Sequence, residues 1–331
     1  MITKKHRVLK AMHKIRITAQ VVRQVIVEPE YCGQRLDNFL RRELKGVPKT
    51  RIYRIIRKGE VRINGKRGKA STRLFSGDIL RIPPIRSSTK TLKKNKLQNI
   101  EETIIYENKF IIVINKPPGL AVHGGSGISM GVIETFRAKS SAASSLELVH
   151  RLDRDTSGCL MIAKNRRYLK VLQSALRTTS VIRKNYRAIV HGNWPSRLGC
   201  IDAPIKKNLL SSGERISKVS ESGKAARTEF SVLARGGGLT FLSVKPITGR
   251  THQIRVHCRH VDKPIIGDAK YGYQNEDGAI SKISNSHRLM LHAESLEVPS
   301  IQDFPGFSVK APQDDEFSRI LNHMSAGKAE A

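Results

Sequence analysis

The chain has 331 residues, which predicts one large domain and a smaller one, and its 39% hydrophobic content is enough to bury a core. Sixty lysines and arginines stand against 28 acidic residues, so the net charge of +32 indicates a polyanionic partner, unless the basic surface only faces water. The four single cysteines argue against a zinc site or a disulfide framework, and no apolar run is long enough to cross a membrane.

The N-terminal region predicts a small, basic α/β domain over residues 21–83. Residues 1–20 are expected to form a flexible basic extension, either an RNA-contacting arm or a targeting segment. A short strand is predicted over 21–27, and two helices follow, with apolar residues at helical spacing. Short strands are then expected around residues 64–65 and after residue 78. The second helix carries the basic residues Arg51, Arg54, Arg57 and Lys58.

This small domain resembles the S4 RNA-binding domain. The resemblance runs through GQRLDNFL at 33–40, the basic second helix, and GEVRINGK at 59–66. It implies that Arg51, Arg54, Arg57 and Lys58 contact RNA. The alternative is an amphipathic helix pair whose charges are merely solvated.

A polar, basic linker is predicted over residues 84–99, and a second domain over 100–324 with a flexible tail at 325–331. Strand-like apolar runs begin at residues 110, 159, 185, 239 and 289, and a helix is expected at 167–177. Short strands with few long helices predict an α+β domain on a largely antiparallel sheet.

A charged loop in this domain is the candidate site of chemistry. His150 to Gly158, HRLDRDTSG, lie between two apolar runs, and Asp153 has Arg151 and Arg154 beside it. Neighbouring arginines favour the ionised form of a carboxylate. A structural loop of ion pairs is the alternative.

The loop resembles the signature of the RluA-type pseudouridine synthases, and five further segments resemble motifs of that family in the same order. They are NKPPGLAVHGG from 115, KNY at 184–186, KPITGRTHQIRVH at 245–257, GDAKYG at 267–272 and RLMLHA at 288–293.

The resemblance implies roles for single residues. Asp153 would be catalytic, Arg151 would help to extrude the target base, and Tyr186 would stack on it. Leu291 belongs to the apolar residues expected near the uracil. Arg255 is expected to pair with Asp153, although Arg250 could instead do so, since on a strand their odd spacing would place them on opposite faces.

Apart from about the first twenty residues and the last few, the chain is most similar to the C-type members of the family, which modify bacterial large-subunit ribosomal RNA. This implies an RNA isomerase with no cofactor and no metal ion, expected to act as a cytoplasmic monomer without a membrane partner. Rival classes fit less well. A glycosidase needs two flanking carboxylates, which could be Asp153 and Asp155, but the basic surroundings do not suit it. A kinase needs a glycine loop and a D-F-G segment, which the sequence lacks. The remaining alternative is a non-catalytic RNA-binding or ribosome-assembly factor on the same fold.

Overall fold

The computed structural model describes residues 22–44, 47, 49–85, 99–124, 130–139, 145–178, 181–209, 215–273 and 288–326. The chain divides into two compact units, Met1–Lys93 and Lys94–Ala331. The predicted extension at 1–20, most of the predicted linker and the end of the predicted tail lie outside the described residues.

The described part of the N-terminal unit forms two helices and four short strands around one apolar core. Its elements are β1 (Arg23–Ile26), α1 (Leu36–Glu43), α2 (Lys49–Arg57), β2 (Arg62–Ile63), β3 (Lys66–Arg67) and β4 (Ile79–Ile82), with a 3-10 turn at Pro29–Tyr31. The strands pair antiparallel in the order β1-β4-β2-β3. The spacing of apolar residues predicted both helices, because Leu36, Phe39 and Leu40 of α1 pack with Ile52 and Ile55 of α2.

The second unit is built on a ten-stranded, mostly antiparallel sheet. Its strands are β5 (Ile104–Glu107), β6 (Ile111–Lys116), β7 (Glu147–Leu148), β8 (Ser157–Ala163), β9 (Arg183–His191), β10 (Cys200–Asp202), β11 (Ile205–Leu209), β12 (Arg215–Val219), β13 (Arg227–Gly236), β14 (Leu239–Pro246), β15 (Leu291–Val298) and β16 (Phe307–Lys310). The sheet order is β10-β13-β14-β9-β15-β8-β6-β5, with β16 beside β15 and β7 beside β8. Among the described strands only β8 and β15 pair in parallel, so the predicted α+β class is confirmed.

The described residues of this unit form four helices: α3 (Val132–Lys139), α4 (Arg166–Arg177), α5 (Gln253–His260) and α6 (Asp315–Ala326), besides a 3-10 turn at Ile100–Thr103. The helix predicted at 167–177 is confirmed as α4, whereas α6 extends two residues into the predicted tail. Strands β6 and β8 are buried on both faces, since their alternate residues pack with α4 on one side and α3 on the other. This double burial explains their continuous apolar runs.

Strands β11 and β12 form a separate two-stranded ribbon beside α5. A small apolar cluster joins Ile205, Val256 and Tyr271 across the ribbon, the helix and the turn after it. Helix α5 is therefore enclosed between the ribbon and the main sheet, a position that matters for the charged residues that it carries.

Candidate active site

The charged loop lies between β7 and β8, and its backbone is fixed at both ends. Within the loop, Leu152 is buried in the apolar core, while Arg151 and Arg154, which flank Leu152 and Asp153, are exposed. At the end of the loop Gly158 has φ +105°, and a Cβ there would lie 2.2 Å from the carbonyl oxygen of Ala293. Glycine thus lets the loop return into β8 directly against β15, where Gly158 pairs with Ala293.

A cleft of about 320 Å³ opens beside this loop, within the size range of small-ligand sites. The six residues that the sequence singled out in this domain all line it: Arg151, Asp153, Tyr186, Arg250, Arg255 and Leu291. They come from four separate segments of the chain, namely the loop, β9, the turn and helix around α5, and β15. The fold therefore brings together side chains that are up to 140 residues apart, as from Arg151 to Leu291.

Asp153 is held by a buried arginine. Nη1 of Arg255 donates to Oδ2 of Asp153 at 3.3 Å, and the side chains of Arg255 and Asp153 are 5% and 18% exposed. Arg255 itself is fixed by Asp268, whose two carboxylate oxygens accept from Nε and Nη2 at 2.7 Å each. Burial lowers the pKa of Arg255, but the hydrogen bonds and charge of Asp268 outweigh this and raise it, so the guanidinium stays charged.

The strand geometry considered for Arg250 and Arg255 does not apply, because Arg255 lies in helix α5. Arg250 precedes the helix in an exposed turn, and its Nε donates to the carbonyl oxygen of Ala225 at 2.9 Å. Of the two arginines considered, Arg255 is thus the one that contacts Asp153. Arg250 remains at the rim of the cleft.

Tyr186 and Leu291 supply an aromatic ring and an apolar side chain to the cleft from neighbouring strands β9 and β15. Burial raises the pKa of the Tyr186 phenol, and the charge of Asp153 adds to this effect. Lys184, two residues earlier on β9, also lines the cleft, and burial lowers its pKa.

Two further side chains support the loop. Lys116 is fully buried, and its Nζ donates to the carbonyl oxygens of Pro117, Leu120 and Arg154 at 2.7, 3.0 and 2.9 Å. It thereby ties the Pro-Gly turn after β6 to the residue next to Asp153. Burial lowers the pKa of Lys116 to about 7. On the other side, Nε2 of His150 accepts the backbone N–H of Met161 at 3.2 Å.

Sequence reasoning assigned no role to two residues of the site, Asp268 and Tyr271, and it interpreted His252 as a structural or RNA-contacting residue rather than a catalytic one. Nε2 of His252 lies 3.9 Å from Oδ2 of Asp153, and its Nδ1 lies 2.8 Å from the hydroxyl of Tyr271. Asp268 and Tyr271 belong to the GDAKYG segment, which was matched to the family motif without a role. An acidic residue in a motif segment was a usable signal for a partner of the arginine.

The basic residues predicted to contact RNA belong to the N-terminal unit, on α2 and just after it. Arg54, Arg57 and Lys58 are exposed, and Arg51 is half-buried. The opposite side of α2 packs Ile52, Ile55 and Ile56 into the core, so the basic side chains extend away from it.

Within the described ranges, no group of three or more histidine, cysteine or acidic side chains is arranged to hold a metal ion. The helices of the same residues include none with the length and apolarity of a membrane span.

Comparison with protein families gives two matches along the chain. The family model described as RNA pseudouridylate synthase matches residues 110–260, and the S4 domain model matches residues 34–80. The first range contains the loop with Asp153, Tyr186 and Arg255, and the second contains all of α2.

Full-length relatives include three bacterial proteins named ribosomal large subunit pseudouridine synthase C. The protein of Pasteurella multocida is 44% identical over 319 residues, which is 95% of this chain and 97% of that one. The protein of Haemophilus ducreyi is 47% identical over 307 residues (91% and 95%), and that of Escherichia coli K12 is 45% identical over 309 residues (92% and 97%).

Two human structures share the fold. RNA pseudouridylate synthase domain containing 4 superimposes with a TM-score of 0.56 at 26% identity, covering 69% of this chain and 95% of that chain. RNA pseudouridylate synthase domain containing 1 superimposes with a TM-score of 0.55 at 25% identity, covering 67% of this chain and 86% of that chain.

Proposed function

The chain belongs to the RNA pseudouridylate synthase family and is an RNA pseudouridine synthase, and we propose that it modifies large-subunit ribosomal RNA with Asp153 as the catalytic residue. The names of relatives that match 91–95% of the chain support this substrate. The relatives named above give no support to the alternative of a non-catalytic RNA-binding factor. We propose further that the enzyme acts as a monomer in the cytoplasm, where it would meet ribosomal RNA.

The reaction is an isomerisation of uridine. The bond from ribose C1′ to N1 of uracil breaks, the base turns, and a bond from C1′ to C5 forms, while C5 loses a proton and N1 gains one. Nothing is oxidised and no group leaves, so the protein must supply a reactive carboxylate and a place for the extruded base.

The observation that carries the proposal is the Asp153 carboxylate in the cleft, held at 3.3 Å by an arginine that Asp268 fixes from behind. A charged arginine at this distance orients the carboxylate through a charge-assisted hydrogen bond. An ionised Asp153 can attack the nucleotide covalently or remove a proton from the sugar, and both routes start from this arrangement.

The other residues of the cleft have proposed roles in binding the extruded base. Tyr186 stacks on the uracil, a contact worth about 1–3 kcal/mol in nucleic-acid complexes. Leu291 is part of the apolar wall beside the uracil. Arg151 at the exposed rim occupies the space that the extruded base leaves, and Arg250 binds the RNA backbone.

The N-terminal unit contributes affinity for large RNA. The opposite side of α2 is apolar core, so the charges of four residues on α2 and directly after it can meet phosphates together: Arg51, Arg54, Arg57 and Lys58. This role is proposed from the match to the S4 domain and from the exposure of the side chains.

The test uses RNA labelled with tritium at C5 of uridine, because formation of the C1′–C5 bond releases the label into water. The wild-type protein should release tritium from large-subunit ribosomal RNA, and Asp153→Asn should reduce the rate by at least about a hundredfold, the lower range for a missing acid–base group. RNA affinity should remain, since the substitution removes a negative charge.

Asp155→Asn is the matched control, because Asp155 belongs to the same loop but pairs with exposed Arg154. It should keep the wild-type rate within about twofold, a difference of less than about 0.5 kcal/mol. An active Asp153→Asn protein would remove this residue from the reaction. Release from small-subunit but not large-subunit ribosomal RNA would contradict the proposed substrate.

A further inference from the structure

A chain of hydrogen bonds reaches the site from the β11–β12 ribbon. The backbone N–H of Ser217 on β12 donates to the hydroxyl oxygen of Tyr271 at 3.0 Å, and this oxygen lies 2.8 Å from Nδ1 of His252. A backbone N–H can only donate, so the hydroxyl hydrogen of Tyr271 is available for Nδ1. With the Tyr271 hydroxyl as donor, Nδ1 is the acceptor, and the hydrogen of the neutral imidazole lies on Nε2.

His252 presents this Nε2–H to the cleft. Its side chain is 15% exposed and lines the cleft, and Nε2 lies 3.9 Å from Oδ2 of Asp153. Among the described residues, Nε2 of His252 has no partner within hydrogen-bond distance. Burial lowers the pKa of His252, although the charge of Asp153 opposes this, so the imidazole is predominantly neutral near pH 7.

The backbone also places His252 unusually. Its φ is +57°, in the left-handed region, directly before helix α5. Residues other than glycine rarely adopt this backbone conformation, and strain of this kind is concentrated at functional sites. The conformation places the ring between Asp153 and the ring of Tyr271, which it meets edge-on at 5.7 Å.

We propose that His252 is a positioning residue for the catalytic carboxylate: with its tautomer set by Tyr271, it donates Nε2–H to Oδ2 of Asp153 when a nucleotide fills the cleft. This inference rests on the proposed function of Asp153. Arg255 already donates to the same oxygen, so two donors hold Oδ2 and leave Oδ1 to meet the nucleotide.

The distance fits a bond that forms on substrate binding. At 3.9 Å the pair is beyond a hydrogen bond, but a shift of about 1 Å would bring it within range. Hydrogen bonds in active sites are often long before the substrate binds and shorten in the complex. A donor on each side of Oδ2 would then limit rotation of the carboxylate, which Arg255 alone does not.

The test compares His252→Gln with His252→Asn. Counted in bonds from Cβ, the amide nitrogen of glutamine matches Nε2 of histidine, whereas that of asparagine matches Nδ1. Glutamine can therefore still donate to Asp153, and asparagine cannot. Asparagine, however, tolerates a left-handed backbone better than glutamine does. The two possible roles of His252 thus predict opposite orders of activity.

We expect His252→Asn to lower kcat for tritium release about tenfold, the effect of one lost hydrogen bond, with KM for the RNA changed less than about twofold. His252→Gln should stay within about threefold of wild type. Tyr271→Phe, which keeps the ring and removes the hydroxyl, should fall between them, because the tautomer is then no longer fixed. Urea unfolding of each variant gives the stability alongside the rate.

Higher activity of His252→Asn than of His252→Gln would assign His252 to backbone conformation and overturn the proposal. So would a wild-type kcat in all three variants, or a change in KM alone. If the wild-type protein itself forms no pseudouridine, the proposed function fails, and this outcome is distinct from a failure of the His252 inference.

Discussion

Replacing Asp268 with asparagine tests how much the buried Arg255–Asp268 pair contributes to stability and to the orientation of Asp153. Asp268 is fully buried, and its Oδ1 accepts from Nη2 of Arg255 and from the backbone N–H groups of Lys270 and Tyr271, while Oδ2 accepts from Nε of Arg255. Asparagine keeps one acceptor, but its NH2 group must face the Nε–H of Arg255, donor against donor. One charge-assisted bond is lost, and a buried guanidinium loses its main counter-charge.

The expected cost is about 3–5 kcal/mol in the free energy of unfolding, the range for breaking a buried ion pair. Urea unfolding measures it, and tritium release should fall as well, because Arg255 is no longer fixed to orient Asp153. Asp262→Asn is the control, since the pair of Asp262 with Arg259 is exposed and should contribute no more than about 1 kcal/mol.

A double substitution decides whether the unpaired charge is the cause. Asp268→Asn combined with Arg255→Met removes both charges, so the double variant should be less destabilised than the sum of the two single variants by more than about 1 kcal/mol. If the two effects add within about 0.5 kcal/mol, the pair is not coupled and the reasoning is refuted.

Two further substitutions test the loop that carries Asp153. Gly158→Ala should destabilise the protein by about 2–4 kcal/mol and lower Tm by on the order of 10 °C, because φ is positive and the added Cβ would lie 2.2 Å from the carbonyl oxygen of Ala293. Gly119 also has a positive φ, but its Cβ would meet open space, so Gly119→Ala should lower Tm less. An equal loss in the two variants would contradict the steric explanation. Burial lowers the pKa of His150 to about 4, and the charge of Lys184 adds to this effect, so the unfolded chain binds a proton between pH 6.5 and 4 that the folded chain does not. The free energy of unfolding should therefore decrease by up to about 3 kcal/mol as the pH is lowered through that window. His150→Gln can still accept from the backbone N–H of Met161, so its free energies of unfolding in urea at pH 7 and pH 4.5 should differ less than those of the wild type. An unchanged difference would rule out this histidine as the source.

Local patterns predicted most of the framework. Apolar runs predicted β6, β8, β9, β14 and β15, because a short apolar run bounded by polar or turn-forming residues is the pattern of a strand buried in a sheet. Helical spacing marked α1 and α2 for the same reason. The charged loop was also visible, since residues 150–156 are polar except for Leu152 and lie between two apolar runs.

Helix α5 shows where such patterns fail. Its apolar residues Ile254, Val256 and Cys258 alternate with polar ones, which is the pattern of a strand. The segment is a helix nonetheless, because Gln253 to Cys258 are all buried between the ribbon and the sheet, and a helix enclosed on several sides need not show an amphipathic period. Its charged residue Arg255 is then buried too, and requires partners that only the tertiary structure reveals.

The unequal bonds of Arg255 indicate how the site tolerates a change of charge during the reaction. Asp268 holds the guanidinium with two bonds of 2.7 Å, whereas Asp153 is held by one of 3.3 Å. If Asp153 becomes neutral, either by bonding to the nucleotide or by taking a proton, Arg255 and Asp268 remain a balanced pair. No buried charge is then left without a partner, which would otherwise cost several kcal/mol at the step where the barrier must be low. Asp268 therefore compensates Arg255 permanently, so that the weaker bond to Asp153 is free to change.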